Sequence, residues 1–283
     1  PVGSFKLFGA LNWTAQNLER IGDRPIAAHS SGNFASGISF AGMRYSKRVI
    51  IVMPESAPKI KFERTRSFGA EIRTYNILTD PQTGERDRLT REISEQENAL
   101  QASPYDDADV ISGNGVGGLQ IVEELQRHGR TLSHFICQVS GGGLMAGHAV
   151  AIADGFPQAR IIGVEPTGAD DFRQSLAKGE RVRVEKPDSI CDGLLSYDVG
   201  EHNWPILRSL LTESVALPDL ATRHESPLGT TSLAFVAFNQ PDFAYFVVEQ
   251  PTSIMQDDKE ITQVYHYSHP IRHDTRNRIL AVP

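Results

Sequence analysis

Short apolar runs alternate with amphipathic stretches along most of this 283-residue chain, and this alternation constrains its fold more than any other feature. Apolar runs followed by segments of helical periodicity are typical of βαβ units, in which crossover helices join parallel strands. The pattern therefore predicts an α/β protein whose largely parallel sheets are flanked by helices. The predicted strands are 25–29, 48–54, 69–75, 133–139, 160–165 and 243–248, and the predicted helices are 34–45, 58–68, 87–99, 116–128, 144–154 and 204–211.

The composition favours a small molecule as the main ligand. Lys and Arg total 28 against 35 Asp and Glu, and the resulting net charge of −7 argues against a nucleic-acid-binding protein. No apolar stretch approaches the length of a membrane span, so no membrane partner is expected. The two cysteines, Cys137 and Cys191, give neither a disulfide framework nor a zinc-ligand spacing, which predicts a reducing, cytoplasmic location.

Both ends of the chain differ from its middle. Pro1 leads directly into what reads as the middle of a domain, which predicts that the natural beginning is missing. After residue 217 the alternation weakens, and His, Asp, Arg and Gln become frequent. The fold prediction therefore rests on the residues before that point.

A run of glycines follows the predicted strand 133–139, in the stretch VSGGGLMAG at residues 139–147. Consecutive glycines let the backbone approach an anion, and the helix that follows presents free N–H groups to it. Phosphate is the ligand that this arrangement favours. The alternative is a tight strand-to-helix turn, which needs fewer glycines than this stretch contains.

A second glycine-rich stretch, GNGVGG at residues 113–118, matches the dinucleotide-binding fingerprint. That interpretation, which would make the protein an oxidoreductase, requires an acidic residue at the end of the next strand. The next strand instead ends in Gln138, Val139 and Ser140. A packing role for these glycines is therefore favoured over dinucleotide binding.

Two further stretches carry polar groups directly after predicted strands. HSSGNFASG, at residues 29–37, offers hydroxyls and an amide suited to a carboxylate at a helix start, or simply to a helix N-cap. VEPTGADD, at residues 164–171, offers oxygen ligands for a hard cation, or forms a solvated acidic turn. The residues alone leave both pairs of alternatives open.

Taken in order, these motifs resemble those of the fold-type-II pyridoxal-phosphate enzymes, specifically the threonine/serine dehydratase and serine racemase family. The resemblance runs through SFKLFGA, HSSGNFA, MPESAPKIK, SPYDDADVISGNGVGG, VSGGGLMAG, GVEPTGADD and CDGLLSYDVGEHNWPI. It implies a tryptophan synthase β-like fold of two domains. The smaller domain would span residues 25–101, inserted into a larger cofactor-binding domain formed by 1–24 and 102–283, in which 218–283 diverges from the family.

The resemblance also assigns roles to individual residues. Lys6 would be the lysine that forms a Schiff base with pyridoxal 5′-phosphate, and Ser31 the second acid/base of racemases. The implied cofactor-binding residues are Phe5, Lys6, Asn33, Ser140, Gly141, Gly142, Gly143, Leu144 and Gly193; the implied substrate-binding residues are Ser30, Ser31 and Asn33; and the implied ligands of Mg²⁺, Ca²⁺ or Mn²⁺ are Glu165, the Ala169 carbonyl and Asp171.

The implied activity is that of an ammonia-lyase, which converts a β-hydroxy amino acid such as threonine or serine into a 2-oxo acid and ammonia. The alternatives are a serine or aspartate racemase of the same family and a truncated, weakly active or inactive cofactor binder. A homodimer or homotetramer is also implied. Phe8 and Phe34 stand where the family has arginine and histidine, and FVVEQPTS stands where its Ser-Gly-Gly-Asn turn is expected.

Overall fold

The computed structural model describes residues 2–30 and 32–219, together with short strands between residues 252 and 280. The chain divides into two compact units, Pro1–Asn114 and Gly115–Pro283. The predicted insertion of a domain at 25–101 into a larger one stays a prediction. None of the described helices is both long and apolar enough to cross a membrane.

The first unit is a parallel sheet covered by helices. Its strands are β1 (Ile26–His29), β2 (Val49–Pro54), β3 (Glu71–Tyr75) and β4 (Leu100–Gln101). Its helices are α1 (Lys6–Gln16), α2 (Leu18–Ile21), α3 (Asn33–Arg44), α4 (Lys59–Ser67), α5 (Asp80–Thr83) and α6 (Glu85–Gln96). The strand order is β3-β2-β1-β4. β2 is apolar and buried along its whole length, as expected for a central parallel strand.

Helix α7 (Ala108–Arg127) begins in the first unit and continues into the second. It contains the whole GNGVGG stretch, so the predicted helix start at residue 116 and the predicted glycine-rich turn before it are wrong. Glycine is tolerated here because neighbouring backbones approach closely. A Cβ on Gly113 would lie 2.6 Å from the Phe8 carbonyl oxygen, and one on Gly118 would lie 2.9 Å from the Cα of His148. The packing role is confirmed, and no turn remains to cradle a dinucleotide.

The second unit contains a three-stranded parallel sheet with the order β5-β6-β7. Its elements up to residue 217 are β5 (His134–Gln138), α8 (Gly143–Gly155), β6 (Arg160–Pro166), α9 (Asp171–Lys178), α10 (Asn203–Leu210) and β7 (Glu213–Leu217), with 3₁₀ turns at Thr167–Ala169 and Asp192–Leu194. Two antiparallel strand pairs follow: β8 (Thr252–Gln256) with β9 (Lys259–Gln263), and β10 (Arg272–His273) with β11 (Ile279–Leu280).

The predicted α/β class and its parallel sheets are confirmed. Five predicted strands and five predicted helices match described elements to within a few residues. The exception among the helices is the one predicted at 116–128, which begins eight residues earlier as α7. The sixth predicted strand, 243–248, lies outside the described residues. Helix α1, which begins at Lys6, was not predicted.

Candidate active site

Lys6 is the first residue of α1, and its amine lies in largely apolar surroundings. Nζ donates a hydrogen bond to the Pro104 carbonyl at 2.7 Å and lies 5.2 Å from the centre of the Phe5 ring. No described carboxylate forms an ion pair with it. Burial lowers the pKa of Lys6 from 10.5 to about 8, because removing water disfavours the ammonium form. A usable fraction of this amine is therefore unprotonated near neutral pH.

The loop that carries Pro104 is tied to α1 at a second point. The indole N–H of Trp13, two helical turns after Lys6, donates to Asp107 Oδ2 at 3.1 Å. The other oxygen of Asp107 accepts the backbone N–H of Asp109 at 2.8 Å and so caps the start of α7. The sequence motifs gave no indication of these contacts, although an aspartate shortly before a helix is a recognisable capping signal.

The HSSGN stretch forms the turn between β1 and α3, as predicted. The Ser30 hydroxyl oxygen accepts the Gly32 N–H at 3.1 Å, and α3 begins at Asn33. Helix α3 packs closely on α1. The approach is so close that a Cβ on Gly37 would lie only 3.2 Å from the Lys6 carbonyl oxygen. The first unit thus contains Phe5, Lys6, Ser30 and Asn33, and it packs the helix that begins at Asn33 against the helix that begins at Lys6. Ser31 lies outside the described residues.

His29, the last residue of β1, lies close to charged side chains of α6, and the sequence motifs do not indicate this contact. Its Nε2 lies 3.7 Å from Asp87 Oδ1. Burial, with smaller contributions from the charges of Arg86 and Lys6, lowers the pKa of His29 to about 4 against the opposing charge of Asp87. His29 is therefore neutral at pH 7. The motif already contained His29, but no spacing signal linked it to α6, which carries Arg86 and Asp87.

The VSGGG stretch forms a turn between β5 and α8, a helix of 13 residues. Ser140 and Gly142 have φ angles of 51° and 95°, the left-handed region in which glycine is favoured. The Gly141 carbonyl accepts hydrogen bonds from the Gly200 N–H and the Asn203 amide, both at 3.0 Å. The turn is therefore held firmly in front of the N–H groups of α8, an arrangement that suits an anion such as phosphate.

The segment containing Gly193 lies next to this turn. Ser140 Oγ is 3.3 Å from Ser196 Oγ, two residues after the 3₁₀ turn Asp192–Leu194. The second unit therefore brings the predicted phosphate residues, 140–144, close to the segment of the predicted cofactor-lining Gly193.

The VEPTGADD stretch runs from the end of β6 through a 3₁₀ turn to α9. Glu165, Ala169 and Asp171 all have 0% relative exposure. Both oxygens of Glu165 accept backbone N–H groups, those of Phe172 at 3.1 Å and Arg173 at 2.8 Å. Neither oxygen of Asp171 has a hydrogen-bond partner of standard geometry among the described residues. A hard cation would lower the cost of burying these carboxyls. Among the described residues, however, no group of three or more His, Cys, Asp or Glu side chains is placed to hold a metal ion.

Burial and neighbouring negative charges raise the pKa values of these two carboxyls. The pKa of Glu165 rises to about 8 through burial and then through the charge of Asp171, while two backbone N–H groups oppose the shift. The pKa of Asp171 rises to about 7, mainly through burial; the backbone N–H groups of Asp171 and Val199 oppose the shift, and the charge of Asp198 adds to it. A divalent cation would remove this repulsion by stabilising both carboxylates. The acidic stretch is therefore buried rather than a solvated turn.

The family model for pyridoxal-phosphate dependent enzymes matches residues 1–224 of the chain. The chain belongs to the pyridoxal-phosphate dependent enzyme family. This confirms the predicted family and its cofactor, pyridoxal phosphate. The residues present fit that cofactor: a lysine amine of lowered pKa can react with its aldehyde, and the glycine turn before α8 can hold its phosphate.

Several named enzymes are similar to this chain in sequence. L-threo-3-hydroxyaspartate ammonia-lyase of Saccharomyces cerevisiae is 32% identical over 218 residues, covering 77% of this chain and 64% of the yeast protein. L-threonine ammonia-lyase of Geobacter sulfurreducens is 35% identical over 219 residues, covering 77% and 52%. Serine racemase of Oryza sativa is 31% identical over 220 residues, covering 78% and 62%. The chain thus spans 52% to 64% of the length of these relatives.

Solved structures in the family share the fold. The threonine deaminase of T.th. superposes with a TM-score of 0.73 and 32% identity, covering 81% of this chain and 71% of that one. Maize serine racemase gives a TM-score of 0.72 and 30% identity, covering 80% and 66%. The predicted fold-type-II architecture is therefore confirmed, whereas the roles of the individual site residues stay predictions.

Proposed function

We propose that the protein is a pyridoxal-phosphate-dependent ammonia-lyase that converts a β-hydroxy amino acid, such as threonine or serine, into a 2-oxo acid and ammonia. The observation that carries this proposal is the Lys6 amine. It is partly buried, has no described carboxylate partner and has a pKa lowered to about 8. Relatives named as ammonia-lyases support the reaction type.

The side chains of the first unit would bind and orient the reactants. Lys6 would hold the cofactor covalently in the resting state, with Phe5 packed against the ring and Asn33 hydrogen-bonded to it. Ser30, Ser31 and Asn33 would hold the substrate carboxylate at the start of α3, where the helix dipole favours negative charge. In the second unit, residues 140–144 would hold the phosphate and Gly193 would line the cofactor.

Lys6 would also carry the proton chemistry. When bound, pyridoxal phosphate supplies an electron sink that stabilises negative charge at the α-carbon of the substrate. The Nζ of Lys6, displaced by the substrate amine, would accept the α-proton as a general base. The β-hydroxyl then leaves with a proton as water, and hydrolysis of the product yields the 2-oxo acid and ammonia. The Pro104 carbonyl offers the charged Nζ a hydrogen-bond acceptor.

A divalent cation would bind at Glu165, Asp171 and the Ala169 carbonyl. These residues would suit Mg²⁺, Ca²⁺ or Mn²⁺, since all three supply oxygen ligands. The cation would act on the structure of the second unit. It would not take part in the chemical steps assigned to Lys6.

A serine or aspartate racemase is the second candidate, because the rice relative is named a serine racemase and Ser31 stands where racemases place a second acid/base. A Ser31→Ala variant that loses far more racemisation than 2-oxo acid formation would support this activity, since weaker binding of the substrate carboxylate lowers both rates together. A homodimer or homotetramer and a cytoplasmic location stay predictions.

The test is 2-oxo acid release from L-threonine, L-serine and L-threo-3-hydroxyaspartate in the presence of pyridoxal phosphate. We expect activity in the wild type, none in Lys6→Ala, and full activity in Lys59→Ala, an exposed lysine on α4 that serves as the control. A wild type that binds the cofactor but acts on no amino acid would be a binder only. Unchanged activity in Lys6→Ala would overturn the proposal.

A further inference from the structure

Asp219, just beyond β7, holds a distant stretch of the second unit that we term the strap, residues 187–191. Asp219 Oδ1 accepts the hydroxyl of Ser189 at 2.5 Å, and Oδ2 accepts the backbone N–H of Ile190 at 3.1 Å. Both carboxylate oxygens therefore accept hydrogen bonds from adjacent residues of the strap. Hydrogen bonds to an ionised carboxylate are about twice as strong as those between neutral groups.

The strap leads directly into the turn that contains Gly193. The Ser189 oxygen accepts the backbone N–H of Cys191 at 3.1 Å, and the Cys191 carbonyl accepts the N–H of Leu194 at 2.8 Å. Cys191 itself is fully buried in the apolar core beside β6. A continuous series of hydrogen bonds thus joins Asp219 to the 3₁₀ turn Asp192–Leu194.

The other side of the strap rests on Gly168, in the 3₁₀ turn after β6. The Asp188 N–H donates to the Gly168 carbonyl at 3.0 Å, and a Cβ on Gly168 would lie only 1.7 Å from the Asp188 carbonyl oxygen. The strap is therefore held between Gly168 and Asp219. Removing the Asp219 hydrogen bonds would leave the strap held only at Gly168. The 3₁₀ turn Asp192–Leu194, which follows the strap, would then be less firmly fixed.

We propose that Asp219 is a positioning residue for the cofactor: it fixes the strap and, through the strap, the backbone of Gly193. This inference rests on the proposed function, in which Gly193 lines pyridoxal phosphate. Asp219 acts through Ser189, Ile190 and Cys191 and needs no contact with the cofactor. Its loss weakens cofactor binding without removing any residue that touches the cofactor.

The experiment compares Asp219→Asn and Ser189→Ala with the wild type. Asp219→Asn removes the negative charge: the amide oxygen can still accept the Ile190 N–H and the NH₂ can donate to the Ser189 hydroxyl, so both contacts become weaker bonds between neutral groups. Ser189→Ala removes the hydroxyl that joins Asp219 to the Cys191 N–H. We expect the Kd for pyridoxal phosphate, measured by absorbance titration of the apoprotein, to rise about tenfold in Asp219→Asn and to rise in Ser189→Ala as well. Amide hydrogen exchange in residues 187–194 should accelerate in both variants.

Thr212→Val is the matched control. Thr212 Oγ1 donates to the Ile161 carbonyl at 3.0 Å, so its loss removes a hydrogen bond of the same unit without touching the strap. We expect its Kd for pyridoxal phosphate and its amide hydrogen exchange in residues 187–194 to match those of the wild type, even if its Tm falls as much as that of Asp219→Asn. Asp219→Glu, which keeps both acceptors, should recover part of the affinity.

The outcomes separate this inference from the proposed function. A wild type that binds pyridoxal phosphate, together with an Asp219→Asn variant of unchanged Kd, overturns the role of Asp219 and leaves the proposed function intact. A wild type that binds none overturns both. If Asp219→Asn fails to fold, Ser189→Ala decides: an unchanged Kd and unchanged exchange in the strap contradict the inference.

Discussion

Burial is the main cause of the pKa shifts of Lys6, His148 and Cys137, and no neighbouring charge contributes to any of the three. It lowers the pKa of Lys6 to about 8 and that of His148 to about 4, and it raises the pKa of the Cys137 thiol to about 12. The first shift favours the reactive amine form of Lys6. The other two keep His148 and Cys137 neutral inside the second unit at physiological pH.

His148 gives a prediction about acid stability. Its Nδ1–H donates to the Leu144 carbonyl at 3.0 Å, and the folded state keeps the ring neutral down to about pH 4, whereas the unfolded chain protonates near 6.5. Between these values the unfolded state binds more protons, so stability falls as pH falls. Relative to His148→Gln, the wild type should lose about 2 kcal/mol between pH 7 and pH 5.

Denaturant unfolding at the two pH values measures this difference. Because other buried groups titrate equally in both proteins, the comparison isolates the imidazole at position 148. Free energies of unfolding that run parallel from pH 7 to pH 5 would contradict a neutral, buried His148.

The candidate site was only partly predictable at the level of residues. The sequence indicates Lys6, Asn33, the glycine turn and the acidic stretch because each belongs to a short local motif of the family that the chain resembles, and their roles stay predictions. The Pro104 carbonyl, Asp107 and the His29–Asp87 pair were missed, because each acts through a contact between segments far apart in sequence. No local pattern encodes such a contact, and a backbone carbonyl leaves no mark on the sequence at all.

Among the helices and strands, the strands were predicted well and the glycine-rich helix poorly. β2, with the sequence VIIVMP, is buried throughout, and a short continuous apolar run is the expected sign of such a strand. The sequence predicts too short a helix in place of α7, because a glycine-rich stretch such as GNGVGG usually indicates a turn. Its glycines are instead required by close helix packing, which depends on tertiary contacts and is invisible in a single sequence.

Helix α7 predicts a substitution that runs against helix propensity. Replacing glycine by alanine inside a helix normally stabilises it by about 1 kcal/mol. In Gly118→Ala the new Cβ would lie 2.9 Å from both the Ala151 Cβ and the His148 Cα, which cannot move independently of α8. We therefore expect a net loss of about 1–3 kcal/mol in denaturant unfolding.

The exposed Ser112 on the same helix provides the control. Ser112→Ala should leave stability unchanged or raise it slightly, since the side chain meets no neighbouring helix. If Gly118→Ala were as stable as Ser112→Ala, the close approach of α7 and α8 would be wrong.

At the scale of the molecule, the chain divides into two compact units. The residues proposed to supply the amine and to bind the carboxylate belong to the first unit, and those proposed to bind the phosphate and the cation belong to the second. The parallel sheets of both units follow from the βαβ pattern of the sequence. The division of the chain into two units does not follow from that pattern, because it depends on the tertiary contacts that α7 makes along its length. The chain spans 52% to 64% of its named relatives, so its activity has to be measured rather than transferred.

A bound cation should stabilise the whole molecule by mass action. If Mg²⁺ or Ca²⁺ binds at Glu165 and Asp171, saturating cation should raise Tm by about 5 °C, since binding at 100 times the Kd contributes about 2.7 kcal/mol. Asp171→Asn should abolish the rise, because it removes one of the two carboxylates proposed to bind the cation. Asp154→Asn, an exposed change on α8, should keep it. An equal rise in Asp171→Asn would place the cation elsewhere.

The most direct measurement of the central claim is where pyridoxal phosphate becomes attached. The purified protein is incubated with the cofactor, reduced with borohydride, digested and mapped by mass spectrometry. The Lys6 environment predicts a stoichiometric adduct on Lys6, present in Lys59→Ala and absent in Lys6→Ala. A stoichiometric adduct on another lysine, or one that persists in Lys6→Ala, would contradict the assignment of Lys6 as the reactive amine.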